Sequence, residues 1–482
     1  MTTFIISIVL LIVGYIVYGK VVERIFGIND DQETPAYSRN DGMDYMPMSW
    51  WKGSLIQLLN IAGTGPIFGA ILGALYGPIA FVWIVIGCIF AGAVHDYFSG
   101  MMSLRHGGAQ FPSLVGRYLG KYAKILTTIL SICLMILVAA AFTAAPAQLI
   151  SSLTPLSFTA CLLVIFAYLL LAAVLPVNRI IGKVYPVFGA ILIFMAVSIG
   201  IGMFFFEEPI PNLTFSNLHP GELPIWPLLM VTISCGAISG FHSTQSPIIA
   251  RTLKKESEGR KVFYGAMIGE GVIALVWAAA GMTFFGSTGA LQTALDAGGP
   301  GGVVNEISIS TLGVFGGLLA IMGIVILPIT TGDTALRSSR MMLAELLGQL
   351  TKTDMMKKKG TLALLIIPVA LPALFLSMID YNFLWRYVGW SNQVVATVML
   401  WTGAMYLLKN HKFHWICSIP ALFMTAVVST YVFYAPEGFS MDYGISMLLG
   451  GIIWVAVAAW FIRKLISQKS QDKYQITESK AG

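Results

Sequence analysis

Long apolar stretches recur along this chain, at roughly 3–19, 50–76, 79–103, 122–145, 155–175, 184–206, 225–250, 262–285, 308–336, 361–379, 383–407, 412–434 and 443–466. A helix needs about 20 residues to cross the hydrocarbon core of a bilayer. Backbone surrounded by lipid must satisfy its own hydrogen bonds, which leaves helices and closed barrels. A barrel alternates polar and apolar residues over short segments, and these runs do not alternate. They read as an all-α polytopic membrane protein with about 13 transmembrane helices. Of 482 residues only 11% are charged, against about a quarter in soluble domains. That excludes a soluble enzyme and a disordered chain. The five cysteines lie in apolar stretches without a CxxC pair and read as buried small hydrophobes, neither disulfides nor metal ligands. The first stretch is short, but no basic residue precedes Phe4 and no small-x-small cleavage site follows. It reads as a retained helix rather than a signal peptide.

Basic residues set the orientation. If the loop at 104–121 is cytoplasmic, alternation places 20–52, 176–183, 251–261, 337–359, 409–412 and the C-terminal tail on the same side. With Lys124 counted in the first of these loops, they hold every Lys and Arg except Arg386. The other side carries Glu207, Glu208, Glu222, Asp296, Glu306, Glu437 and Asp442 and no lysine. The N-terminus is therefore expected outside and the C-terminus in the cytoplasm of a plasma or inner membrane. The net charge of +6 is a topology signal, not a nucleic-acid footprint. The longest loops, 20–49, 207–224, 286–307 and 337–360, are too short for a substantial core of their own. No GxxxxGK[ST] phosphate loop is present, so ATP hydrolysis and a cofactor are not expected.

Two spans carry glycine, small polar residues and proline at membrane depth: Asn60-Ile-Ala-Gly-Thr-Gly-Pro66, and Ser234 through Pro247. Glycine and proline both disfavour a continuous helix, and irregular backbone in the membrane must face protein or a wet cavity. Close packing through small residues is the plainer explanation, but the positions of the two clusters favour breaks. With the first span set aside, the interrupted spans are the first and sixth of ten and run in opposite directions. That predicts inverted five-helix repeats over 50–206 and 225–407, preceded by an extra helix and loop at 1–49 and followed by two helices and a tail at 408–482. Carriers place discontinuous helices at matching positions of two halves, with the site at the midplane. Helix ends at the breaks offer amides to an anion and carbonyls to a cation. A small carboxylate-bearing substrate is favoured, held by Asn60, Gly63, Thr64 and Gly65 and by Ser239, Gly240, His242, Ser243, Thr244 and Gln245.

These residues also carry a resemblance. The stretches Asn60-Ile-Ala-Gly-Thr-Gly-Pro-Ile-Phe-Gly-Ala and Gly92-Ala-Val-His-Asp-Tyr-Phe-Ser-Gly-Met-Met-Ser-Leu-Arg-His106 closely resemble the carbon starvation protein A family. So do Gly240-Phe-His-Ser-Thr-Gln-Ser-Pro and Thr331-Gly-Asp-Thr-Ala-Leu-Arg-Ser-Ser-Arg340, and the likeness covers most of 1–380. It implies peptide uptake during nutrient limitation, or proton-coupled pyruvate uptake as in some members. It also implies the inverted-repeat fold of the amino acid–polyamine–organocation transporters. This chain is shorter than many members, which leaves its substrate, peptide or pyruvate, open.

Ionisable residues at depth are costly and mark function. His95 and Asp96 are candidates for cation coupling, with a structural hydrogen bond as the alternative. His242 is placed inside the second break, donating to substrate, carrying a proton or capping a freed carbonyl. Thr330, Thr331 and Asp333 form a hydroxyl and carboxylate set for a proton or a sodium ion. The resembling superfamily implies sodium at a hydroxyl pair on this helix; alternatively Asp333 pairs with Arg337 at i+4. Glu270 reads as an isolated buried carboxylate, and Arg386 as an outer ion pair beside Asp380 and Asn392-Gln393. An intramembrane enzyme is disfavoured: HExxH is absent, and Thr331-Gly-Asp lacks a companion Tyr-Asp segment. A channel or nutrient sensor is the alternative to a secondary transporter.

Overall fold

Every regular element of the structure, a computed structural model, is helical among the residues it describes, which are 1–42, 44–174, 181–206, 208–351, 360, 364–379 and 381–481. Part of the expected loop at 176–183, the Lys357–Lys359 run and the start of the expected span 361–379 lie outside the described residues. In chain order the helices are α1 (Thr2–Phe26), α2 (Trp50–Ala62), α3 (Gly65–Tyr76), α4 (Ile79–Arg105), α5 (Phe111–Leu119), α6 (Lys121–Leu153), α7 (Phe158–Val174) and α8 (Ile181–Gly202). They continue with α9 (Ile225–Thr232), α10 (His242–Ala250), α11 (Glu256–Phe284), α12 (Thr288–Thr351), α13 (Ile367–Leu376), α14 (Tyr381–Lys409), α15 (Trp415–Tyr434) and α16 (Tyr443–Ala481).

Seven of these, α1, α4, α6, α8, α11, α15 and α16, are singly long and apolar enough to cross a membrane, and α2 with α3 makes an eighth as a bent pair. The chain is a multi-pass membrane protein. The expected span 225–250 does not stand as one helix, because α9 and α10 are separated by non-helical backbone at 233–241. The expected spans at 155–175 and 361–379 yield the shorter apolar helices Phe158–Ala173 and Ile367–Leu376. The first helix runs to Phe26, past the expected end at 19, because Val22 and Phe26 find buried places and Gly27 ends it at φ 69°.

The α2–α3 junction bends by 49°. Gly63 sits there at φ 48° and ψ −142°, a conformation that costs any residue with a Cβ. Pro66 follows in the first turn of α3, where its missing N–H leaves no carbonyl unpaired. Beyond the bend, Gly65, Gly69 and Gly73 repeat every four residues and line one face of α3. A Cβ on them would lie 2.3 Å from the Cys235 side chain, 2.8 Å from the Thr232 carbonyl oxygen and 2.3 Å from the Ile233 side chain. One on Gly92 of α4 would lie 2.2 Å from the Ala237 carbonyl oxygen. Small residues therefore let two helices close around the 233–241 backbone. Helix α11 lies in the interior, with 83% of its apolar window buried, whereas α16 is peripheral at 17%. The long α12 packs along α6 and kinks at Gly299 and Gly313.

At one end of the bundle Arg105 of α4 ties four helices together. Its guanidinium donates to both oxygens of Glu256 at the start of α11, at 2.8 and 2.7 Å. It also donates to the Tyr406 hydroxyl on α14 at 2.8 Å and to the Gly27 carbonyl after α1. The segments after α1, after α4, before α11 and after α14 therefore meet at one end. These are four of the segments that alternation places on one side of the membrane. Four of the cysteines are buried, but Cys133 is exposed on the outer face of α6, contrary to the expectation for all five.

Candidate functional site

Backbone outside a helix at membrane depth needs partners, and the 233–241 segment has them. The Trp83 indole N–H donates to the Ile233 carbonyl at 3.0 Å. On α14, the Gln393 amide donates to the Ile238 carbonyl at 3.1 Å and the Met230 carbonyl at 3.3 Å. Asn392 accepts the Phe241 N–H at 2.7 Å and donates to the Ser239 hydroxyl at 2.8 Å. Gly240 lies so close to α14 that a Cβ would stand 2.1 Å from the Asn392 carbonyl oxygen. Sequence reasoning missed the role of Asn392 and Gln393, which are fully buried, while Arg386 is exposed and Asp380 lies outside the described residues. Two adjacent uncharged amides in an apolar span were the available signal.

The second break ends earlier than expected. His242, Ser243, Thr244 and Gln245 are helical and open α10. Ser243 and Thr244 hydroxyls donate to the Gly240 and Phe241 carbonyls, both at 2.6 Å, which closes the first turn. Pro247 lies inside α10 and cannot donate to the Ser243 carbonyl; the Ser99 hydroxyl of α4 does so instead, at 3.3 Å.

Four ionisable side chains from α4, α10 and α11 converge here, each fully buried. The Asp96 carboxylate meets Nδ1 of His95 at 2.8 Å and Nδ1 of His242 at 3.0 and 3.2 Å. Nε2 of His242 faces Glu270 at 3.5 Å, and neither group is hydrogen-bonded through these atoms among the described residues. Glu270 is thus not isolated, as the sequence suggested. His242 caps no freed carbonyl with Nδ1, because Asp96 occupies it. The pairing of His95 with Asp96 and of Asp96 with His242 unites residues from both expected functional sets.

A second grouping lies on α12. The Tyr185 hydroxyl of α8 donates to Asp333 Oδ2 at 2.6 Å, and Oδ1 has no hydrogen-bond partner. Arg337 donates to the Ala172 carbonyl at 2.7 Å and stands 3.5 Å from Asp44. Thr330 bonds its own helix at the Leu327 carbonyl. Thr331 reaches the Leu327 carbonyl at 3.2 Å and the Leu59 carbonyl of α2 at 3.4 Å, beside Gly63. The hydroxyl of this grouping therefore touches the first break. At that break both heteroatoms of the Asn60 amide and the Thr64 hydroxyl are buried without partners among the described residues, as is Oε1 of Gln245 in the first turn of α10, just past the second break. The two breaks meet through Gly65 and Cys235. Among the described residues, no group of three or more His, Cys, Asp or Glu is arranged to hold a metal ion.

Residues 1–217, 145–292 and 278–431 match the family described as Carbon starvation protein CstA. A membrane protein of Haemophilus influenzae is 49% identical over 62% of this chain and 95% of its own length. The peptide transporter CstA of Bacillus subtilis is 26% identical over 95% of this chain and 96% of its own. The pyruvate/proton symporter BtsT of Escherichia coli is 23% identical over 87% of this chain and 79% of its own. A manganese transporter of Eremococcus coleocola has a similar fold, with TM-score 0.54 at 13% identity over 87% of this chain and 94% of that one. A sodium-coupled sialic acid symporter, at TM-score 0.51 and 12% identity over 93% and 96%, shares it too.

Proposed function

The chain belongs to the carbon starvation protein CstA family, and from that we propose that it is a secondary active transporter importing a small carboxylate-bearing nutrient, a peptide or pyruvate, during carbon starvation. One observation carries the reading: two interrupted helices meet break to break and leave Asn60, Thr64 and Gln245 with buried polar atoms that have no partner among the described residues. Such atoms are expensive in a dry interior, and a polar ligand between the breaks satisfies them. Asn60, Thr64 and Gln245 supply side-chain contacts, and Gly63, Gly65, Ser239, Gly240, Ser243 and Thr244 supply backbone close to the ligand. The architecture that goes with it has about 13 spans, with inverted five-helix repeats at 50–206 and 225–407, the N-terminus outside and the C-terminus in the cytoplasm.

A carrier without ATP machinery needs an ion gradient to concentrate its substrate. We assign coupling to protons, with His95, Asp96 and His242 on one side and Asp333 with Thr330 and Thr331 on the other. Sodium is the second reading, favoured by the Thr331 hydroxyl beside the Leu59 carbonyl at the first break, since hard cations take oxygen ligands. Purified protein in liposomes tests the function: labelled pyruvate or a labelled dipeptide should undergo counterflow, which a channel or sensor does not support. Absence of counterflow with both substrate classes refutes the reading.

A further inference from the structure

We infer that Glu270 is a proton-carrying group that holds a proton in the closed site and passes it to Nε2 of His242. The hydrogen-bond network sets the starting point. Asp96 accepts from Nδ1 of both His95 and His242, and an ionised carboxylate only accepts. Both histidines are thereby assigned as Nδ1–H tautomers. Each then presents a bare Nε2, and neither Nε2 has a hydrogen-bond partner. Both oxygens of Glu270 are equally unpartnered, with no exposure to solvent.

Charge counting gives the proton. With Asp96 ionised and both rings neutral, an ionised Glu270 would make two buried negative charges without a cation. A buried ion without a counter-charge is costly even after the surroundings relax. One proton on the Glu270–His242 pair reduces the two negative charges to a single net one. Its location follows from distance. A carboxylate facing an imidazolium draws in to about 2.7–2.9 Å, whereas Glu270 and His242 stand at 3.5 Å. No hydrogen-bonded ion pair is formed at this separation, so the ring is left neutral and the proton is assigned to Glu270, whose O–H can close on Nε2.

Transfer is balanced. The Glu270 O–H bond breaks, the His242 Nε2–H bond forms, and the imidazolium is left between two carboxylates with the net charge unchanged. Because His242 opens α10 directly after the non-helical segment, movement of that segment changes the Glu270–His242 distance. Proton transfer and rearrangement at the substrate breaks are thus one event. The other titratable groups facing the pair are His95, Asp96 and Cys88 on α4 and Cys235 in the non-helical segment; the Cys88 thiol is occupied with the Met267 carbonyl at 3.3 Å.

Infrared difference spectra of the purified full chain, taken in H2O and D2O across neutral pH, read this proton directly. The parent should show a protonated-carboxyl band that shifts in D2O, disappears in Glu270→Gln and survives in Asp333→Asn. No such band in the parent, or an unchanged band in Glu270→Gln, overturns the inference. If Glu270→Gln yields no folded protein, Glu270→Asp sets the acid back by one methylene; its band should move, and an unmoved band again overturns the inference. A second readout rests on the transport reading. One coupled proton in a gradient of one pH unit is worth about tenfold in accumulation, so the ratio of gradient-driven accumulation to exchange should fall about tenfold in Glu270→Gln. An unaltered ratio also overturns it. If the parent exchanges neither pyruvate nor dipeptides, the transport reading fails while the infrared result still decides the proton.

Discussion

The Tyr185 hydroxyl at 2.6 Å holds one oxygen of Asp333 and leaves the other without a partner. Asp333→Asn keeps the volume and an acceptor for Tyr185 but removes the charge. Concentrative uptake should therefore be lost while counterflow of bound substrate survives. Uptake that still concentrates substrate as the parent does would show that Asp333 is not a coupling group. Asn392→Ala acts differently. It leaves the Phe241 N–H and the Ser239 hydroxyl without their partner, at about 1–3 kcal/mol. Thermal stability in detergent should drop, and the substrate concentration for half-maximal counterflow should rise by about one to two orders of magnitude. No change in either quantity would mean that Asn392 does not position the segment. His95, Asp96 and His242 were legible in the sequence because charge at membrane depth has few innocent explanations. Their partners were not, since pairing depends on which helices pack together. Asn392 and Gln393 carry no charge, so nothing in their composition alone sets them apart from ordinary helix-packing polar residues.

Helices α3 and α4 make room for non-helical backbone by carrying no side chains where it passes. Gly65→Ala would bring a Cβ to 2.3 Å from the side chain of Cys235, and overpacking of this kind costs about 1–3 kcal/mol or more. The yield of monodisperse protein in size-exclusion chromatography should fall, and Cys235→Gly in the same chain should restore it. Failure of the second change to rescue would locate the strain elsewhere. The existence of both breaks was readable from glycine and proline, which remove a Cβ or a donor whatever surrounds them. The extent of the second was not. Ser243 and Thr244 hydroxyls close the first turn of α10, and Ser99 covers the carbonyl that Pro247 leaves bare. The helix therefore begins at His242 and contains the proline that was expected to interrupt it.

Across the whole molecule, apolar length identified the membrane class, and among the described residues seven helices meet that criterion singly and one bent pair meets it jointly. Of the remaining stretches, 225–250 is divided, 155–175 and 361–379 give short helices, 308–336 belongs to the kinked α12, and 383–407 lies in the unbroken α14, whose Ser391, Asn392 and Gln393 interrupt its apolar run. Orientation is tested by labelling. In a cysteine-free background, Asp296→Cys should react with an impermeant maleimide added to intact cells and Lys255→Cys should not. The reverse pattern would invert the topology. The contact at Arg105 bears on timing. Because the ends of α1, α11 and α14 all meet the guanidinium of Arg105 on α4, none can swing aside without giving up its own bond to it. Hydrogen bonds to a charged group are worth about 1.5–3 kcal/mol each, and every 1.4 kcal/mol added to a barrier slows crossing about tenfold. On the transport reading, opening at that end has to break these bonds, and the barrier to opening rises accordingly.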